Sequence, residues 1–311
     1  MDRECGTRVS ADGSPRGARG RRRTTLYALA VSAAAAGLTL VACRSLGAAG
    51  DPAVTLVGAG DIAGCAPEFQ DEATAALIAR IPGTVFTAGD NAYPDGTTAD
   101  FACYDASWGA FKSRTRPAPG NHDYETPGAA PYFAYFDSLA GPPGKGYYSY
   151  DLGAWHIVSL NSEGDIPAQA AWLERDLAAH PARCTLAYWH KALFTSSSAH
   201  APYDAIRPLY RVLYEAGADV ILSGHNHQYE RFAPQDPAGA ADAARGLRYF
   251  VVGTGGAPNF YGFGPPRPNS EVRYTGGHGV LKLTLHADRY EWEFVSVAGK
   301  TFGDRGTQAC H

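Results

Sequence analysis

Five short apolar runs in this chain each lead into an aspartate, asparagine or histidine, and four of the five do so beside a glycine. The run at 53–60 ends in Gly60-Asp61. The run at 84–88 continues into Gly89-Asp90-Asn91-Ala92-Tyr93. The run at 115–118 leads to Gly120-Asn121-His122-Asp123, the run at 185–189 to His190, and the run at 219–222 to Ser223-Gly224-His225-Asn226-His227. Short continuous apolar runs bounded by turn residues read as fully buried strands. In an α/β sheet, ligand chemistry lies beyond the carboxyl ends of the strands. Glycine there lets the backbone turn sharply without a Cβ clash. Each strand end alone is an ordinary turn; five together point to one site.

The remaining pattern agrees with that frame. Helices are predicted over 68–81, with Phe69, Ala73, Leu77 and Ile81 on one stripe, and over 167–180. A third is predicted over 204–216, where Ile206, Leu209, Tyr210, Leu213 and Tyr214 keep helical spacing. Residues 147–152 and 155–160 read as adjacent strands turning at Gly153. Residues 247–252, 280–286 and 289–297 alternate as strands do. Strands alternating with helices predict an α/β domain, and the helix-poor end predicts a second, more antiparallel sheet. With no linker or repeat inside it, 53–311 is expected to be one domain, after a short linker at 43–52. Eleven of the 25 positions from Gly253 to Gly277 are Gly or Pro, which predicts a long loop of the kind that often carries function.

Residues 1–42 read as an export signal. Arg21, Arg22 and Arg23 precede an apolar run from Leu26 to Ala42, the layout of a basic n-region and an apolar h-region. Leu40-Val41-Ala42-Cys43 resembles a bacterial lipobox, which makes Cys43 a lipidation candidate; release after ordinary cleavage is the alternative. The protein is expected outside the cytoplasm, extracellular or in the cell envelope, touching membrane only through such an anchor. This segment carries seven Arg and three acidic residues, so the formal charge of −4 for the whole chain becomes −8 for residues 43–311. An acidic exported domain is not expected to bind nucleic acid or anionic lipid. Apart from Cys5 and Cys43, four cysteines remain, and in an oxidising compartment they allow three pairings. Cys65–Cys103 and Cys184–Cys310 are the expected pair, the first joining two loops that border the proposed site.

The strand ends supply three His (His190, His225, His227), two Asp (Asp61, Asp90), Asn121 and, from the second run, Tyr93. That is too many donors for one tetrahedral zinc. It suits two ions that share a bridging carboxylate and clamp a phosphoryl group.

The order Asp61, Gly-Asp90, Gly-Asn121-His122, His190 and Gly-His225-x-His227 resembles the calcineurin-like metallophosphoesterase superfamily, over about residues 54–297. Most members carry His two residues after the first Asp; here that position is Ala63, and Tyr93 stands three residues after Asp90. This exchange, with the run from Gly224 to Arg231, resembles the purple acid phosphatase branch, without the extra N-terminal β-domain of its large plant members. The resemblance implies a four-layer α/β/β/α sandwich of two mixed β-sheets flanked by helices. It implies one metal at Asp61, Tyr93, His227 and Asp90, and a second at Asn121, His190, His225 and Asp90. An anionic phenolate oxygen favours a hard ion, so Fe(III) plus a divalent ion (Fe, Zn or Mn) is expected. It further implies outer-sphere roles for His122, at the phosphate, and for His200, as proton donor to the leaving oxygen. His156, His180, His278, His286 and His311 have no motif around them and read as structural or surface residues. The expected activity is hydrolysis of small phosphate monoesters. A diesterase or nucleotide hydrolase on the same ligands is the nearest alternative, and a non-catalytic binding protein a more distant one.

Overall fold

The apolar runs predicted to be strands fall in two sheets in a computed structural model that describes residues 52–311. The expected export segment and Cys43 lie outside the described residues. Strand β1 (Val54–Ala59) leads through the two-residue β2 (Ala63–Gly64) to α1 (Asp71–Ile78) and β3 (Thr84–Ala88). The two-residue β4 (Ala92–Tyr93), α2 (Thr98–Ser107), β5 (Thr115–Ala118), α3 (Asn121–Glu125) and α4 (Ala130–Phe136) follow. Then come β6 (Tyr148–Leu152), β7 (Trp155–Ser159), α5 (Ile166–Ala179), β8 (Cys184–Tyr188), α6 (Arg207–Glu215) and β9 (Val220–Ser223). Six strands close the chain: β10 (Tyr229–Gln235), β11 (Leu247–Val252), β12 (Ser270–Tyr274), β13 (Gly279–Leu285), β14 (Arg289–Ser296) and β15 (Arg305–Ala309).

The first sheet has the order β15-β14-β13-β1-β3-β5, the second β12-β10-β11-β9-β8-β7-β6. Strands β1, β3 and β5 run parallel, as do β7, β8, β9 and β11; the flanking strands are antiparallel. Both sheets are therefore mixed, and each parallel core sends its carboxyl ends to one edge.

Alternation along the second sheet separates two layers of core. Val158, Ala187, Ile221, Tyr249 and Val251 face α5 and α6, where Leu173, Leu209, Tyr210 and Leu213 pack. Ile157, Leu186, Leu222 and Phe250 point the other way, into the core shared with the first sheet. The sheets meet through Phe86 on Tyr188 (5.8 Å between ring centres), Trp155 on Tyr290 (5.7 Å) and Tyr229 on Phe294 (4.5 Å). The outer face of the first sheet is covered by α1, which packs on β13, and by the helical turn at Trp108–Arg114, which packs on β3. The result is a four-layer α/β/β/α sandwich.

Cys65 is bonded to Cys103 and Cys184 to Cys310. The second bond joins the start of β8 to the residue after β15, and so ties the two sheets together at their far ends.

Three readings need correction. The first helix is shorter than 68–81, and its buried face is Asp71, Thr74, Ala75 and Ile78. Thr74 is buried because its hydroxyl is bonded to Asp71 O (3.0 Å) and receives a hydrogen bond from Trp108 Nε1 (3.1 Å), so hydrogen bonding overrode the apolar stripe. The span 253–277 is not one loop, since β12 forms an edge strand inside it. β10 and β15 went unseen because their apolar content is low: β10 carries Glu230, Arg231 and Pro234. The buried Asp304 accepts from Arg231 Nε (2.7 Å) and Tyr229 Oη (2.7 Å), a pairing with no local signal.

Candidate metal centre

The sharp turns after β1, β3 and β9 place three donors in the left-handed region: Asp61 (φ 61°), Asp90 (φ 50°) and His225 (φ 69°). Non-glycine residues rarely adopt this region, and when they do the strain clusters at functional sites. Hydrogen bonds between the turns hold them there. Asp61 N donates to Gly89 O (3.0 Å), and His225 N donates to Asp61 Oδ2 (2.9 Å). Two glycines are required by close approach. A Cβ at Gly120 would lie 2.2 Å from Asp90 Oδ1, and one at Gly224 would lie 2.6 Å from Asp61 Oδ2.

All seven donor candidates come together. Around one point stand Tyr93 Oη, Asp61 Oδ1 (3.1 Å from it), Asp90 Oδ2 (3.0 Å) and His227 Nε2 (3.2 Å). Around a second stand His190 Nε2, Asp90 Oδ2 (3.1 Å), Asn121 Oδ1 (3.1 Å) and His225 Nδ1 (3.2 Å). Each carboxylate has one oxygen committed to backbone and one left open. Asp90 Oδ1 accepts from His122 N (2.8 Å) and Asp61 Oδ2 from His225 N. Asp90 Oδ2 is the atom common to both groups.

The ring orientations suit ligation. His190 Nδ1 lies 2.9 Å from Ala88 O and His227 Nδ1 lies 2.8 Å from Pro258 O. A carbonyl only accepts, so these nitrogens carry protons and each Nε2 is turned toward the cluster, where the neutral imidazole would offer its lone pair to a metal; this is the usual outer support of a metal-binding imidazole.

Electrostatics make the same point. Burial by itself would raise the Asp90 carboxyl, but His190 and then His122 and His225 hold it well below the usual carboxylate range. Burial would lower His190, yet Asp90 pushes it up to about 10. His225 drops to about 2, from burial and then the charge of His190. The Tyr93 phenol is driven well above its ordinary value by burial and by Asp61 and Asp90. Two buried carboxylates and a phenol crowded within 3.1 Å therefore call for positive charge at their centre. The donor set, oxygen-rich at one point and split between oxygen and nitrogen at the other, fits two cations bridged by Asp90 Oδ2.

The two outer histidines flank the cluster. His122 Nε2 is 3.9 Å from Asp90 Oδ2, and its Nδ1 is 2.5 Å from Pro94 O. The His200 ring lies 4.2 Å from that of His225, and burial lowers its pKa. The loop carrying His200 is joined to the glycine-rich loop by Ser198 N to Gly262 O (2.9 Å), Gly264 N to Ser196 O (2.8 Å) and Arg267 N to Ser196 Oγ (2.9 Å). Beneath them the buried Glu230 accepts from Ser196 N (2.7 Å) and Ser270 Oγ (2.6 Å).

Sequence reasoning missed three contributors. Asp123 is buried and accepts from Gly120 N (2.8 Å) and Asn91 Nδ2 (2.9 Å), locking two donor turns together; its place beside His122 was the available signal. Tyr261 lies against His227 (4.8 Å) and His200 (5.1 Å), and Phe69 lies against Tyr93 (5.6 Å); the glycine-rich span 253–277 was the available signal for Tyr261, whereas Phe69 reads in sequence only as part of a helical stripe. His156 lies away from this centre, buried between Asp151 and Asp176 (2.9 Å each) at the β6–β7 edge.

Comparison with known proteins places these observations. The family described as calcineurin-like phosphoesterase matches residues 54–229. The chain is 30% identical over 165 residues to purple acid phosphatase 22 of Arabidopsis thaliana, covering 48% of this chain and 36% of that protein. It is 28% identical over 227 residues to purple acid phosphatase 15 of the same plant, covering 58% and 41%. It thus spans about two-fifths of the length of these curated relatives. In fold it is similar to the purple acid phosphatase PPD1 from yellow lupin (Lupinus luteus) seeds, with a TM-score of 0.68 at 20% identity, covering 83% of this chain and 54% of that one.

Proposed function

The chain belongs to the calcineurin-like phosphoesterase family, and on that premise we propose that it is an exported, two-metal phosphomonoesterase of the purple acid phosphatase kind. The observation that carries the reading is Asp90 Oδ2, one open carboxylate oxygen within 3.1 Å of both donor groups. Asp61, Tyr93, His227 and Asp90 would hold a hard ion such as Fe(III); Asn121, His190, His225 and Asp90 would hold a divalent ion. When bound, two such ions supply positive charge to the phosphoryl oxygens and lower the pKa of a coordinated water.

The chain's own residues supply the rest. Asp61 and Asp90 are pinned by backbone N–H groups, so their open oxygens need no reorganisation. His122, with Nδ1 against Pro94 O, turns Nε2 toward the phosphate position. His200, half-buried beside His225, is placed to hold a proton for the leaving oxygen. The joined loops that carry His200 and Tyr261 wall the site. Export is supported by the basic and apolar layout of 1–42 and by two disulfides, which persist in oxidising compartments. Cys43 is the proposed lipid attachment point; acylation lost in Cys43→Ser would be its mark.

The test is hydrolysis of p-nitrophenyl phosphate by metal-loaded protein, wild type against Asp90→Ala, with bis-p-nitrophenyl phosphate and nucleotides alongside. Wild-type turnover of the monoester, abolished in the variant, is expected. A wild-type rate equal to the buffer blank refutes the reading, and faster turnover of the diester moves it to a phosphodiesterase. Metal content near zero after iron and zinc loading would instead indicate a non-catalytic protein.

A further inference from the structure

Beside the donor cluster lies a cavity of about 480 Å³ that takes in Tyr93, His122 and His227 and continues outward past Phe69 and Tyr261. A succession of rings lines it. Phe69 packs on Tyr93 (5.6 Å), Tyr93 meets His227 edge-on (6.1 Å), and His227 faces Tyr261 (4.8 Å, 30° between planes). Pro94, Pro258 and the Cys65 end of a disulfide complete the apolar surface. No lysine or arginine lines it among the described residues, and its one carboxylate is the exposed Glu68.

From this lining we propose that the cavity is the leaving-group subsite, and that it selects small monoesters whose alcohol carries a flat, uncharged ring. The inference rests on the phosphomonoesterase reading above. A phosphate held at the donor cluster with its ester oxygen turned toward Tyr261 and the adjoining His200 (5.1 Å between rings) would place its alcohol in this cavity. A ring placed there meets aromatic faces at half-buried Phe69 and Tyr261, an arrangement aromatic groups favour in offset or edge-to-face geometry. A leaving group bearing further phosphates would bring its anions to Glu68 with no cation to receive them. Discrimination between such substrates is therefore built from attraction to rings and repulsion of polyanions.

The test compares kcat/KM for phenyl phosphate, glycerol phosphate and fructose 1,6-bisphosphate on the metal-loaded full chain. Phe69→Leu and Tyr261→Leu keep apolar bulk but remove the flat faces. Each is expected to lower the phenyl-to-glycerol ratio of kcat/KM by about three- to tenfold, chiefly through KM. Glu68→Lys, on the exposed rim where packing is not at stake, is expected to raise relative turnover of the bisphosphate several-fold. Ratios within twofold of wild type in all three variants overturn the subsite assignment and leave the phosphatase reading standing. Wild-type protein that carries its metals but hydrolyses none of the three esters overturns both.

Discussion

Removing one oxygen atom, in Tyr93→Phe, separates the purple acid phosphatase reading from the general one. The ring contacts of Tyr93 with Phe69, His122 and His227 survive the change. What is lost is a hydroxyl within 3.2 Å of Asp61, Asp90 and His227. In metal-free protein that hydroxyl has one proton, so it can donate to only one carboxylate at a time. The loss is then one hydrogen bond to a charged group, about 1.5–3 kcal/mol. Relief from crowding a phenol against two carboxylates offsets part of it, so a fall in unfolding free energy at the lower end is expected in urea. In loaded protein the change removes an anionic donor from the first group while leaving the second group whole. The expected result is a visible absorption band in wild type after loading with oxidised iron, none in the variant, and iron retention reduced by more than tenfold, with divalent metal at His190 and His225 retained. The assay is elemental analysis paired with a visible spectrum on one sample. An identical band in Tyr93→Phe, or colourless wild-type protein with iron bound, would refute the assignment of Tyr93 as a ligand.

Further expectations concern other parts of the molecule. His200→Gln should lower kcat by about 100-fold on an alkyl ester but little on p-nitrophenyl phosphate, whose leaving group needs no proton; equal losses on both would remove His200 from proton donation. Replacing Cys184 and Cys310 by Ala frees a connection spanning 126 residues, and should cost about 2–5 kcal/mol in a urea titration; an unchanged midpoint would mean the sheets need no such tie. His278 is buried, its ring nitrogen faces Ala257 O at 3.0 Å, and burial lowers its pKa from 6.5. Above pH 6.5 both the folded and unfolded forms are neutral. As pH falls below 6.5 the unfolded chain takes a proton that the folded chain refuses, so stability is lost in that window. His278→Gln should lose less between pH 7.5 and 5.5, and parallel pH curves for the two proteins would show that His278 is not the group concerned.

Much of the site was legible because strand and donor are neighbours in the chain. A buried strand that runs into Asp, Asn or His, in four of five cases beside a glycine, announces both the element and its chemistry, and the candidate donors Asp61, Asp90, Asn121, His190, His225 and His227 were all read this way. Tyr93 was legible through what Ala63 lacks. Helix α1 was misplaced because Thr74 and Asp71 are buried by partners from distant segments. β10 and β15 were missed because Asp304 supplies the partner for Arg231 and Tyr229 from more than 70 residues away. Phe69 and Tyr261 carry no motif, and their role follows only from standing beside Tyr93 and His227.

The sequence by itself determined which candidate donors this protein has, and that they stand where strands end, since strand period and turn chemistry are local. Only the tertiary structure decided how those donors face one another. The packing of two sheets aligns their carboxyl edges, and backbone groups from one turn then claim one oxygen of a carboxylate on another. The carbonyls of Ala88 and Pro258 choose which nitrogen each imidazole offers. These are contacts across roughly 30 to 160 residues, with energies too small to mark the chain but large enough, once the core is packed, to leave a single oxygen of Asp90 open to both donor groups.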